Sequence, residues 1–480
     1  MLPPEPVLPP EPDLVRDLAE WLPRQRWFGG KDGPIHDLAI GTATELHPGD
    51  PALHHLILDV HRDGATDHYQ LLLGARRDLP DRLRHVEIGG RCGDRPARPR
   101  LYDAAHDPDL TRVLLDAMER GASVGPLRFH RAGGARIRTD LASLPMTAEQ
   151  SNTSLLFGDE YICKLFRRLS PGVNLDLEVN LALTRGGCAR VPAVLGWIEL
   201  DRGPGGDGEP VTLALLSDYL HTGVEGWSLA IASVRDWFAY TPPPGGDEWA
   251  ELDASAAGGD FAAEAERLGA ATAEVHRALA DAFGVTVVPP ADVRAMAARM
   301  NAELTGTCRA VPGLAPHAKA LTEAYLDLAA RAEPLTVQRV HGDYHLGQVL
   351  RTESGWTVLD FEGEPARTQS ERRALAHPLR DVAGMLRSFE YAARFLITRP
   401  GTVPSESGPR PETRAHAWAA RNRAAFCRGY AAGGGPDPAA HAVLIRAFEF
   451  EKAVYEVRYE ARNRPAWLAV PLKSLAHLTA

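Results

Sequence analysis

The chain has 480 residues, beyond the usual span of one domain, so two or three packed units are expected. Apolar residues make up 44%, which is enough for buried cores and excludes global disorder. Lys and Arg number 53 against 63 Asp and Glu, and the net charge of −10 disfavours nucleic acid or an anionic membrane as partner, since both reward a basic face.

The first residues, MLPPEPVLPPEPD, lack the basic start and apolar run of a signal peptide and read as a mobile Pro-rich tail. Leu14 to Leu22 reads as a short helix leading into WLPRQRWFGG. The alternating stretches DLAIGTATEL, HHLILDVHRD and HYQLLLGA predict an antiparallel sheet over about 37–90. Together they suggest a first unit over 1–95, with GDRPARPR near 93–100 as its boundary. Leu101 to Arg120 reads as one or two helices. Next, SLLFG and YICKLFRRL flank Asp159–Glu160 as a hairpin, LDLEVNLALTRGG reads as a helix stopped by Gly186–Gly187, and VTLALLSDYL follows the turn DRGPGGDGEP as a strand. These elements mark a second unit over 96–220.

From about 225 the character is helical, and a third unit over 221–480 is expected. Leu268, Thr272, Val275, Leu279 and Phe283 recur at helical spacing after a cap at Asp260, and His276 on that helix reads as structural. PPPGGDE (242–248) and PGTVPSESGPRPE (400–412) read as loop insertions, and a long amphipathic helix over roughly 438–463 is closed by Pro465. The five cysteines, Cys92, Cys163, Cys188, Cys308 and Cys427, are odd in number and widely spaced, so free thiols in a reducing, cytoplasmic setting are expected. No run approaches the ~20 apolar residues of a membrane span, so no membrane partner is expected.

Chemistry concentrates in VHGDYHLGQVL (340–350) and WTVLDFEGEP (356–365). The first breaks a strand-like TVQRV at Gly342; the second is a strand, TVLDF, ending in acidic residues. A short hairpin would bring Asp343 and Asp360 to one cleft. Phosphoryl transfer needs such a pair: one carboxylate orients the attacking hydroxyl and accepts its proton, and the other binds Mg²⁺ against the phosphates. Asp343 suits the first role and Asp360 the second. The amide of Gln348, five residues after Asp343, offers a neutral oxygen to the same metal. His341 reads as a group packed beneath the loop. Lys164, in YICKLF, is placed to reach the phosphates of ATP, with Glu178 on the following helix as its partner. Ser151, Asn152, Thr153 and Ser154 of EQSNTS would form the phosphate-covering turn, although it carries no glycine. Ser217 and Tyr219, in LLSDYL, belong to a connector whose backbone can meet adenine. No G-x-x-x-x-G-K-[ST] motif occurs, which disfavours a P-loop enzyme.

These blocks, with LRDVAGMLRSFEYAA and FEFEKAVYEVRYEARNRPAWL, resemble the actinobacterial maltokinase-like branch of the aminoglycoside-phosphotransferase fold. The resemblance implies an α+β, bilobal protein-kinase-like fold with an N-terminal cap domain, using ATP and Mg²⁺ to phosphorylate a small sugar. Maltokinases usually read H-G-D-L-H-L-G-Q, whereas Tyr344 here replaces the Leu. QRVHGDYHLGQ is similar to the related glucosamine kinases, which make glucosamine 6-phosphate, and maltose 1-phosphate formation is the alternative. A protonated amino sugar calls for carboxylates near its amine. Asp381, Glu390 and Glu451 are candidates, Glu451 first, with Tyr455 on the same helix face. Tyr344 and His345 follow Asp343 and can touch sugar hydroxyls, and Trp467 offers a stacking face. A catalytically silent binding module is disfavoured because Lys164, Glu178, Asp343, Gln348 and Asp360 are all present. An antibiotic-modifying enzyme is disfavoured by the extra N-terminal unit. Oligomeric state is not readable from the sequence.

Overall fold

The computed structural model describes residues 8–29, 33–62, 64–89, 99–146, 152–201, 208–240, 259–364, 367–398 and 411–479. The chain forms two compact units, one of residues 1–181 and 192–221 and the other of residues 182–191 and 222–480. The stretch 93–98, Ser151, 202–207 of the Gly/Pro turn, and the expected insertions at 242–248 and 400–410 lie outside the described residues.

In the first unit, α1 (Glu11–Trp21) starts inside the stretch read as a tail. It opens with acidic residues and buries Leu14, Leu18 and Trp21, one face of two turns. A sheet follows, built from β1 (Asp37–His47), β2 (Ala52–Arg62), β3 (Ala65–Arg76), β4 (Glu87–Ile88) and β5 (Arg100–Asp103) in the order β1-β2-β3-β5-β4. Strands β2 and β3 are buried on both faces, which is why they read as near-continuous apolar runs. One face packs on α1 through Leu56, Leu58, Leu71 and Leu73. The other, with Leu53, Ile57 and Leu72, shares a core with α2 (Pro108–Arg120) and the next sheet.

The helix expected from Leu101 is corrected to strand β5, a turn, and then α2. Tyr102 lies opposite Gly74 of β3, where a side chain would sit 2.4 Å from the tyrosine ring. Asp107 starts α2 by accepting from the Asp109 amide at 3.2 Å. The second sheet contains β6 (Ser123–Val124), β7 (Leu127–Arg131), β8 (Ser143–Pro145), β9 (Thr153–Phe157), β10 (Tyr161–Leu165), β12 (Val194–Leu200) and β13 (Val211–Asp218), in the order β6-β7-β12-β13-β10-β9-β8. The two residues of β11 (Arg168–Leu169) leave this sheet and pair with β3 of the first. Helix α3 (Leu175–Arg185) is capped by Asn174, whose Oδ1 accepts from the Asp176 amide at 2.7 Å.

The second unit is mainly helical. Its elements are β14 (Val224–Glu225), α4 (Gly226–Ala239), α5 (Ala262–Phe283), β15 (Val285–Val288), α6 (Pro290–Ala310), α7 (Ala318–Ala329), β16 (Leu335–Gln338), β17 (Val349–Thr352), β18 (Gly355–Val358), the single turn α8 (Gln369–Arg372), α9 (Leu379–Phe395), α10 (Pro411–Ala432), α11 (Ala442–Asn463) and α12 (Ala469–Leu478). Asp260 accepts from the Ala262 amide at 3.1 Å at the start of α5. Pro411 and Glu412, read as loop, open α10, where a first-turn proline loses no hydrogen bond. Pro465 ends α11 as expected but also begins a short turn leading into α12, which the helical pattern did not reveal. Strand β15 is four residues long and pairs with β16, too short a run for periodicity to mark. No helix among the described residues is long and apolar enough to cross a membrane.

Candidate active site

The loop between β16 and β17 carries the H-G-D motif. Gly342 turns it at φ 86, a backbone region glycine enters without steric cost. Asp381, in the first turn of α9 and 2% exposed, holds the turn from beneath. Its Oδ2 accepts from the His341 amide at 2.7 Å and its Oδ1 from the Gly342 amide at 3.0 Å. His276 of α5 donates from Nε2 to Asp381 Oδ2 at 3.0 Å, and its Nδ1 takes the Tyr430 hydroxyl at 2.8 Å. Burial alone would raise the Asp381 pKa; His276, His341 and the Gly342 amide outweigh it and lower it. His341 donates from Nε2 to the Leu359 carbonyl at 2.8 Å and accepts the Asp343 amide at Nδ1, 3.3 Å away. With both nitrogens spent on backbone, His341 braces the loop.

Asp343 projects from this scaffold. Its Oδ1 accepts from Lys452 Nζ of α11 at 2.9 Å, and Lys452 also reaches Glu364 Oε1 at 2.7 Å. Burial pushes the Asp343 carboxyl up, but the Lys452 ammonium, helped by His345 and His341, holds it at about 2. Lys452 in turn is held well above its ordinary value: burial opposes its charge, and the two carboxylates prevail. The ion pairs continue outward. Glu364 meets Arg367 at 2.5 Å, Arg367 lies 3.6 Å from Glu451, and Glu451 meets Arg380 at 2.7 Å. Glu364, Arg367, Arg380, Glu451 and Lys452, with Gly342, Tyr344, Asp381 and Tyr455, line one cavity.

Asp360 follows β18 and is the only non-glycine residue with positive φ (60) among the described residues. Such a conformation is strained for a residue with a side chain and is kept where the surroundings impose it. Gln348 Nε2 lies 3.2 Å from Asp360 Oδ2, so an amide and a carboxylate stand side by side. The Asp360 carboxylate suits Mg²⁺, which takes one or two protein oxygens and completes its shell with phosphate and water; the Gln348 amide presents its nitrogen to Asp360 here and would offer its oxygen with the amide turned over.

In the first unit, Lys164 of β10 lies opposite Ser154 of β9 and Leu215 of β13. Its Nζ meets Asp176 Oδ2 at 3.3 Å and lies 5.6 Å from the Phe166 ring centre. Asn180 fixes Asp176 by donating to Oδ1 at 2.8 Å. Asp176, two residues before the expected partner Glu178, is therefore a lysine partner that sequence reasoning missed. Thr153 accepts from Arg167 at 2.8 Å. Asn152 is the first described residue of the expected phosphate-covering turn. Ser217 pairs with Ile162 in the sheet, and the Tyr219 amide donates to the Glu160 carbonyl at 2.8 Å.

The candidate sugar residues divide. Tyr344, Asp381, Glu451 and Tyr455 line the cavity, but the Asp381 carboxylate is spent on the loop and on His276, and Glu451 is tied to two arginines. The Tyr344 hydroxyl bonds Thr272 of α5 at 2.8 Å. His345 turns back on its own loop, accepting the Gly347 amide at 3.0 Å, and burial lowers its pKa toward the neutral ring. Glu390 is buried against Arg394 and Arg423 and is not among the residues lining this cavity. Trp467 stacks on Tyr391 at 6.3 Å. Lys452, Glu364, Arg367 and Arg380 were missed. The available signal was Lys452 itself, a charge set among Phe448, Phe450, Ala453 and Val454, all buried.

A carboxylate on a glycine turn and an oxygen donor for a divalent cation in the second unit, and a strand lysine in the first, are parts that a phosphotransferase of kinase-like fold uses. Comparison with known proteins agrees. Residues 21–107 match the maltokinase N-terminal cap domain and residues 144–444 the phosphotransferase enzyme family. The chain belongs to that phosphotransferase family. A glucosamine kinase of Streptacidiphilus jiangxiensis is 31% identical over 342 residues, 69% of this chain and 72% of that protein. A glucosamine kinase of Mycolicibacterium smegmatis is 28% identical over 351 residues, 70% and 79% of the two chains. Among solved structures, a glucosamine kinase in complex with glucosamine, ADP and inorganic phosphate superposes with TM-score 0.66 at 23% identity, covering 99% of this chain and all of that one. A second crystal form of glucosamine kinase gives 0.68 at 24%, covering 98% and 99%. These two share the fold.

Proposed function

We propose that the chain is an ATP-dependent glucosamine kinase that transfers the γ-phosphoryl of ATP to the 6-hydroxyl of glucosamine. The observation that carries the transfer chemistry is Asp343: one oxygen is held by Lys452, and among the described residues no donor reaches the other. That second oxygen orients the acceptor hydroxyl and takes its proton as the O–P bond forms. Asp360 and Gln348 would hold Mg²⁺, which when bound offsets phosphate charge. Lys164, steadied by Asp176, serves the phosphates of the nucleotide. The sugar is read from the glucosamine kinases that this chain resembles over two thirds of its length. The match to a maltokinase cap supports maltose as the second candidate.

The test is steady-state kinetics with ATP, Mg²⁺ and four acceptors: glucosamine, glucose, N-acetylglucosamine and maltose. The expected order places glucosamine first in kcat/KM. Glucose should fall behind by about tenfold to a few hundredfold, because a site built around a polar group is left unpaired when that group is absent. Maltose outperforming glucosamine would replace this reading with the second.

A further inference from the structure

We propose that Lys452 is a positioning residue for the transfer step: its ammonium pins Oδ1 of Asp343, so that Oδ2 is the oxygen offered to the acceptor hydroxyl. The inference rests on the reading of Asp343 as the carboxylate that accepts the proton.

The two residues come from distant parts of the chain, 109 positions apart, and meet at 2.9 Å. The Lys452 side chain is only 16% exposed. The Tyr455 ring lies 4.7 Å from its Nζ, which gives the ammonium an aromatic face on one side. Its ammonium serves two carboxylates, Asp343 and Glu364. Before transfer the three groups together carry one negative charge. In the transfer step the acceptor O–H breaks as its oxygen bonds the γ-phosphorus, the bond from that phosphorus to the β-phosphate oxygen breaks, and the proton passes to Asp343 Oδ2. Asp343 is then neutral, and Lys452 with Glu364 forms a balanced pair. The ammonium therefore keeps Asp343 ionised and ready to receive the proton, and the neutral Asp343 formed by transfer is the less favoured state, from which the proton passes on.

The groups facing Asp343 are Lys452 and Tyr455 from α11, Glu364 from the loop after β18, and His341 and His345 from its own loop. Removing Lys452 would leave Asp343 beside Glu364 with no cation of its own, Arg367 remaining on Glu364 but not on Asp343. Such a pair shares a proton, and its upper ionisation moves toward neutral pH.

The experiment compares Lys452→Met, Glu364→Gln/Lys452→Met, Asp343→Asn and Asp343→Asn/Lys452→Met with the wild type, using whichever sugar the wild type turns over best. Lys452→Met should lower kcat by at least about thirtyfold, somewhat less than the hundredfold or more that loss of general-base assistance costs, with smaller changes in either KM. It should also gain an acid limb in kcat above about pH 5 that the wild type lacks. The Glu364→Gln/Lys452→Met protein, in which one positive and one negative charge are removed together, keeps the cluster foldable and should remain slow. Lys452→Met on top of Asp343→Asn should cost almost nothing more, because the two act as one unit. Near-normal kcat in the Lys452 variants beside a dead Asp343→Asn, or losses that multiply in the double variant, would overturn this inference alone. Full activity in Asp343→Asn would overturn the catalytic reading and this inference with it.

Discussion

Asp343 and Asp360 stand out in the sequence as a pair, because a carboxylate after H-G and another at a strand end have few other reasons to occur together at such spacing. Their partners do not, because Lys452, Glu364 and Asp176 act through contacts that only folding creates. The electrostatics give a pH prediction. In the proposed mechanism Asp343 must be ionised, and the Lys452 ammonium holds its carboxyl at about 2. The kcat/KM profile should therefore show no acid limb from Asp343 over roughly pH 5–7, and an acid limb in that range that shifts in Asp343→Glu but persists unmoved in His345→Gln would contradict the geometry. The same depression contributes stability that is present above the ordinary carboxylate pKa and lost as pH falls through about 2. Glu451 gives a second prediction. Sequence reasoning makes it a carboxylate for the substrate amine, yet Arg380 and Arg367 already occupy it. Glu451→Gln should therefore lower kcat/KM for glucosamine and glucose by similar factors. A loss confined to glucosamine would restore the direct role.

At the scale of elements, the hairpin β9–β10, α3 and α5 were readable from alternation, caps and helical spacing. Strand β5 was not, because Leu101 and Tyr102 share a short run with the residues of α2 and only their pairing with β3 decides between strand and helix. The catalytic loop shows a similar limit: its sequence marks the turn, but its shape is imposed by α9. Asp381 binds its amides, Ser388 accepts the Leu346 amide at 3.0 Å, and Gly384 lets the Tyr344 carbonyl lie close to the helix. A methyl group on Gly384 would meet that carbonyl oxygen at 2.7 Å. Gly384→Ala should push the loop off α9, lowering kcat at least tenfold, while thermal denaturation registers a loss of about 1–3 kcal/mol, the usual cost of overpacking. Unchanged kcat with an unchanged melting temperature would mean that the helix simply yields.

In the whole molecule, the cap region reads from the sequence as a unit of its own ending near residue 95. In the structure that region and the sheet after it lie in one compact body. Gln70 of β3 donates to the Phe166 carbonyl at 2.9 Å, and β11 adds to the β3 edge. Arg167 is 1% exposed, donates to Asp103 at 2.6 Å and to Thr153 at 2.8 Å, and lies 4.7 Å from the Trp27 ring centre. None of these links has a local sequence signal, since each joins residues more than 10 positions apart. Arg167→Met leaves Asp103 buried without its cation, which should cost about 3–5 kcal/mol and lower the melting temperature sharply. Arg167→Lys should restore only part of it, because an ammonium cannot reproduce the guanidinium fork. A melting temperature within a degree of wild type in the Met variant would refute the assignment.

The excursion of β11 sets a rule for recombination. Immediately after the lysine-bearing strand, the chain lends two residues, Arg168 and Leu169, to the sheet begun by the first hundred residues, where they pair with Tyr69 and His68. A crossover between this protein and a relative placed near residue 99 would look clean on an alignment, yet it would join a β3 from one parent to an edge strand from the other. Grafts that carry residues 8–89 and 99–169 from a single parent keep Trp27, Gln70, Asp103, Thr153, Arg167 and the β3–β11 pairing together. Progeny of the shorter swap should be recovered in soluble form less often, in proportion to how far the two parents differ at those positions.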